Sequence, residues 1–123
     1  TGVSLSDGKF HHLCVTWQSS NGNFNVYVNG TVAFSTTAMN GKVLPGGGSW
    51  VIGQDQDSVG GGFDANQAFG GEISEVHVWN RALSPAEIEV LASSCAQDLV
   101  GNYVAYTDFK IRGNVPTFQH CCK

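Results

Sequence analysis

The stretch FNVYVNGTVAFS, residues 24–35, constrains the fold most. Asn29-Gly30 stands between two runs in which apolar and polar side chains alternate. Only residues that tolerate positive φ fit a two-residue turn whose twist matches that of two strands, so the pair predicts a β-hairpin and fixes its register. Upstream, KFHHLCVTWQ (9–18) alternates in the same way. Phe10, His12, Cys14 and Thr16 share one side; His11, Leu13, Val15 and Trp17 share the other. WVIGQ (50–54), GGEISEVHVWN (70–80) and NYVAYTDFKI (102–111) read as further strands. The period changes at LSPAEIEVLASS (83–94). There Ser84 as N-cap, Pro85 in the first turn and Glu87 three residues after the cap predict one short helix. Ile88 and Leu91 form its narrow apolar stripe. The pattern is all-β, an antiparallel sandwich with one short helix on one face.

Length and composition narrow the class. A chain of 123 residues suits one domain. Its 13% charged residues lie below the roughly 25% common in globular chains, and 16 glycines supply turns. The six Lys and Arg form no stripe, which argues against nucleic-acid binding. No apolar run approaches the ~18 residues of a membrane span. The start, TGVSLSDGKF, has neither the basic nor the apolar part of a signal peptide, so the chain reads as a mature segment or a cut piece. Cys14, Cys95, Cys121 and Cys122 lack the paired spacing of a zinc site and suit disulfides of a secreted protein or an ectodomain. Asn29-Gly30-Thr31 is a glycosylation sequon and agrees with that location.

The loop GQDQDSVGGGFDANQAF (53–69) gathers Asp55, Asp57 and Asp64 with no Lys or Arg among them. Carboxylates so close repel unless a cation sits between them. Calcium takes six to eight oxygen ligands from carboxylates, amides and main-chain carbonyls. Asp55 and Asp57 would lie on one side of an extended stretch, with the Gln56 carbonyl between them. Gly60, Gly61 and Gly62 would allow the fold-back that brings Asp64 and Gln67 to the same point. Phe63 and Phe69 are expected to wall the loop against the sandwich.

HLCVTWQS, His12 to Ser19, fits the pentraxin signature H-x-C-x-[ST]-W-x-[ST], and the later IGQDQDSVGGGFDANQAFGGEI and VWNRALSPAEI follow in the same order. Over nearly its whole length the chain resembles the C-terminal part of one pentraxin domain (residues 1–123, with the N-terminal part absent). It is most like neuronal pentraxins and the pentraxin modules of larger extracellular or adhesion-receptor proteins. The resemblance implies a jelly-roll sandwich of the laminin-G and legume-lectin kind, with calcium on one face and the helix on the other. It also implies that Asp55, Asp57 and the Gln56 carbonyl serve both ions of a calcium pair, and that Asp64 and Gln67 complete the second. Two ligands of the first ion would come from outside this chain. Asp55 and Asp64 stand where several family members have Glu, one methylene longer.

By the neuronal-type pattern Cys95 pairs with Cys121, which leaves Cys122 available for an intermolecular bond in a homo-oligomer. The partner of Cys14 would lie upstream. The expected function is calcium-dependent recognition of an extracellular ligand through phosphate, carboxylate or sugar oxygens. The alternative is an adhesion or assembly module like laminin G, with purely structural calcium. A sandwich-fold glycoside hydrolase is a remote alternative. DQDSV matches its paired-acid strand only at the first two acids, and no Glu follows at the required spacing. No catalytic constellation is apparent. His12 reads as a hydrogen-bonded structural histidine, and Trp17, Trp50 and Trp79 as core residues within strands.

Overall fold

The computed structural model describes residues 1–94 and 99–118. It divides into two compact units, one formed by residues 1–42 with the segment from 77 onward and the other by residues 43–76. In the first unit, strands β1 (Leu13–Gln18), β2 (Asn23–Val28) and β3 (Thr31–Thr37) form an antiparallel sheet in that order. Asn29 and Gly30 make the β2–β3 turn with φ of 52° and 84°, both positive as the Asn-Gly pair predicts. The first strand is shorter than its alternation suggested, because pairing with β2 begins only at Leu13 opposite Val28.

The helix α1 (Pro85–Ser93) follows its start signals closely. The Ser84 hydroxyl accepts the Glu87 N–H at 3.2 Å, and Glu87 accepts the Ser84 N–H at 2.7 Å. This reciprocal cap satisfies two donors that the first helical turn would otherwise leave open. Arg81 then grips Glu87 with both ends of its guanidinium, at 2.9 and 2.8 Å. Helix and sheet meet in a small core of Tyr27, Leu83 and the fully buried Ile88, with Cys14, Trp79, Leu91 and Leu99 packed around it. At the hairpin tip a Cβ on Gly30 would lie 3.3 Å from Ala92 and 3.4 Å from Glu89, so the turn rests directly on α1.

Three expected strands do not form. Residues 50–54 and 70–76 carry no ladder, and within 77–111 the only pairing among the described residues is a bridge between Val78 and Val104. A strand exists only where another edge satisfies its backbone, and alternation alone names no partner. The 77–80 and 101–106 segments are joined instead by side chains. His77 Nδ1 accepts N–H groups from Gly101 and Tyr106, and Asn80 and Asn102 bond reciprocally. Trp50 is 56% exposed rather than core, whereas Trp17 and Trp79 are half-buried. His12 lies in the expected half-buried place, but its ring Nδ1 is buried without a partner, so the expected ring hydrogen bond is absent at that atom. Burial lowers its pKa. Leu13 and Val15, on the sheet face away from Tyr27, stay 50% and 53% exposed.

The Arg81 guanidinium and the Ser84 N–H hold Glu87 down from its ordinary 4.5 to about 2. A depressed carboxylate contributes stability above its unfolded value and loses it as pH falls through the folded value. Acid unfolding followed by circular dichroism should therefore show a loss between about pH 4.5 and about 2 that Glu87→Gln flattens. An unchanged profile in the variant would show that the clamp carries no pH-dependent stability.

Candidate metal centre

The unit of residues 43–76 holds five acids (Asp55, Asp57, Asp64, Glu72 and Glu75) and no Lys, Arg or His. Its formal charge is therefore −5, whereas the whole chain carries −4. The remainder, with five acids against six Lys and Arg, is close to neutral.

Uncharged groups shape the loop. The Phe69 N–H donates to the Gly53 carbonyl at 2.9 Å and closes residues 53–69 at their base. Gln56 spans the interior: its Nε2 donates to the Ser49 carbonyl and its Oε1 accepts the Gly60 N–H, both at 2.8 Å. Ser58 and Gly61 exchange main-chain hydrogen bonds at 3.2 and 2.9 Å around a tight turn, with Gly60 and Gly62 at φ of 67° and 73°. The chain then folds back so closely that a Cβ on Gly62 would sit 2.8 Å from the Asp57 Cβ. Asp64 caps the single 3-10 turn Ala65–Gln67. Its Oδ1 accepts the Asn66 N–H at 2.9 Å and Asn66 Nδ2 at 3.0 Å, and its carbonyl accepts the Gln67 N–H at 3.0 Å.

The structure thus brings Asp57 beneath Gly62, and places Asp64 and Gln67 in one turn. It does not bring the carboxylates into a cage: among the described residues no three His, Cys, Asp or Glu side chains converge. Asp55, Asp57 and Asp64 are all exposed. Like charges with no basic neighbour are better solvated by water than held against one another. Phe63 and Phe69, expected to wall the loop, are exposed as well, and the Phe69 ring lies over Gly71. The donor types suit a hard cation, since carboxylates, a carboxamide and main-chain carbonyls are calcium ligands and no thiolate or imidazole is among them. With the Gln56 side chain committed within the loop, its main-chain carbonyl, which accepts no hydrogen bond among the described residues, is the atom free to serve.

Sequence reasoning missed two residues. Asn66 shares the Asp64 carboxylate, and the D-x-N spacing of an Asx turn was the signal for it. Ser49 anchors Gln56 through a main-chain carbonyl, for which a sequence carries no signal. Of the cysteines, Cys14 is a free, half-buried thiol whose pKa burial raises. Cys95, Cys121 and Cys122, and with them the expected Cys95–Cys121 bond, lie outside the described residues.

A family model described as the Pentaxin family matches residues 3–118. The chain is 44% identical over 108 residues to the rat sushi, von Willebrand factor type A, EGF and pentraxin domain-containing protein 1, an alignment covering 86% of this chain and 3% of that protein. It is 40% identical over 123 residues to human neuronal pentraxin-1, covering 95% and 28% respectively. Among solved structures, a native heptameric SAP-like pentraxin from Limulus polyphemus superposes with a TM-score of 0.77 at 30% identity, covering 89% of this chain and 51% of that one. The chain therefore spans about half the length of that solved pentraxin and a smaller part of the two relatives. The likeness places its sheet and helix in the all-β jelly-roll class.

The wiring of the loop has a direct test. Gly62→Ala forces a Cβ against Asp57 in a left-handed conformation that costs roughly 1–2 kcal/mol for other residues. Gln56→Ala removes both internal bonds. In limited proteolysis of the apo protein each variant should be cut within 53–69 faster than wild type, with the 1–42 segment unaffected. Equal cutting rates would show that neither residue sets the loop's shape.

Proposed function

The chain belongs to the pentraxin family, and from that premise we propose that it is a calcium-dependent recognition module of a secreted protein or an ectodomain. The observation that carries this reading is the concentration of five acids and no base in residues 43–76, three of them on the 53–69 loop, whose fold is secured by neutral hydrogen bonds. Drawing the loop acids together would cost free energy that a divalent cation would recover. Asp55, Asp57 and the Gln56 carbonyl would bind both ions of a pair, and Asp64 and Gln67 would complete the second. Bound calcium would offer open coordination positions to phosphate, carboxylate or sugar oxygens of a ligand. The chain's own residues do the rest: Gln56 and Gly62 hold the loop folded, and Asn66 engages Oδ1 of Asp64, so Oδ2 would be the oxygen to serve an ion.

Pentraxins are in general binding modules rather than enzymes, and DQDSV shares only its first two acids with the paired-acid strand of a sandwich hydrolase. No helix among the described residues is long and apolar enough to cross a membrane. Assembly into a homo-oligomer, as in the heptameric Limulus protein, belongs to the same proposal. So does a Cys95–Cys121 bond, which in the chain-entropy model would be worth roughly 3–4 kcal/mol.

Titration calorimetry of this chain with calcium should give a stoichiometry near one, because on this reading its residues would supply one nearly whole site. Asp57→Asn should abolish the heat, and Asp64→Asn should weaken it. Two tight ions would show the ligand set to be wrong, and no binding by folded protein would sink the calcium reading. A phosphoethanolamine resin separates recognition from purely structural calcium: retention that EDTA reverses supports the first. Non-reducing peptide mapping should join Cys95 to Cys121; a Cys14–Cys95 bond would overturn that pairing.

A further inference from the structure

The hairpin tip has a polar network that the calcium reading does not use. Asn29 Oδ1 accepts the His12 N–H at 3.0 Å, and the Asn29 N–H donates to the His12 carbonyl at 2.8 Å. Its Nδ2, always a donor, lies 3.1 Å from His11 Nδ1. His11 Nδ1 must then accept, so the ring proton sits on Nε2 and donates to Asp7 Oδ1 at 2.8 Å. Asn29 is exposed, and Gly30 beside it rests on α1. The network consumes the amide oxygen and one of the two amide hydrogens. The second hydrogen has no role in it.

We propose that Asn29 carries an N-linked glycan, that the closed hairpin accommodates it, and that it is attached only before the hairpin closes. The reaction exchanges one amide hydrogen for sugar. Nδ2 bonds to C1 of an oligosaccharide on a lipid pyrophosphate, and the C1–O bond to phosphate breaks. The lipid pyrophosphate leaves with the electron pair, and the amide proton passes to a base of the transferase. The product is a secondary amide with one N–H, sufficient for His11 Nδ1, while Oδ1 still accepts from His12. In the folded turn, however, Asn29 is fixed at φ 52° with its amide engaged at both ends, and Thr31 is paired with Val28 in the sheet. A transferase must take hold of Asn29, Gly30 and Thr31 together, so the hairpin has to open first.

The inference rests on the secretory location proposed above, and the experiment imposes that route so that its result is independent of calcium. The full chain, secreted from eukaryotic cells, should lose one glycan-sized mass step with peptide N-glycosidase, which converts Asn29 to Asp. Thr31→Val, which keeps a strand-forming residue, should be secreted without that step; Asn29→Asp serves as a second variant that retains the turn. Folded, unglycosylated chain offered to microsomal transferase with its lipid-linked donor should react at least about tenfold more slowly than the same chain unfolded, as ~1.4 kcal/mol of opening would impose. Absence of the mass step from the secreted wild type would overturn the site. Equal transfer to folded and unfolded chain would overturn the order of events.

Discussion

Strand β2 is paired along both edges, and the first unit is organised around that double pairing. Among the described residues β1 and β3 each form a ladder with β2 alone, so β2 is the one strand of the sheet paired on both sides. Tyr27, near its end, is buried against Leu83 and Ile88 and so couples the sheet to α1. The turn that follows β2 lies on the same helix through Gly30. Sheet, turn and helix are thus held by one strand, while the acidic loop belongs to a different unit with its own internal bonds.

How much was legible in the sequence differs by kind of signal. Ser84, Pro85 and Glu87 specify a helix start by local chemistry, and the helix begins at Pro85. Asn29-Gly30 likewise encodes its turn in two residues. The runs at 50–54, 70–80 and 102–111 carry a sound strand pattern but form no ladder, because period two states which faces a segment can bury and not which edge it joins. Trp50, 56% exposed, misled for the same reason: size and apolarity do not state how much of a side chain the fold covers.

In the loop, the acids were visible as charge, and the three glycines as flexibility. The bonds that use that flexibility were not, since Gln56 reaches Ser49 and Gly60 only after the chain has turned back. Nor did the pattern foretell that Asp55, Asp57 and Asp64 would remain exposed rather than converge. Convergence depends on the balance between repulsion and a cation, which spacing along a chain does not report.

The loop's scaffold and its charges reside in different atoms. Gln56, Gly60 and Gly62 and the Gly53–Phe69 bond set its path, and of the three loop acids only Asp64 contributes a carboxylate oxygen to that framework. Asp55 and Asp57 can therefore be exchanged for longer or neutral side chains over evolutionary time without the backbone having to be rebuilt. If the loop holds calcium as proposed, its contour and its affinity for the ion are separable properties, so the same backbone path would persist in a chain that had lost the ion.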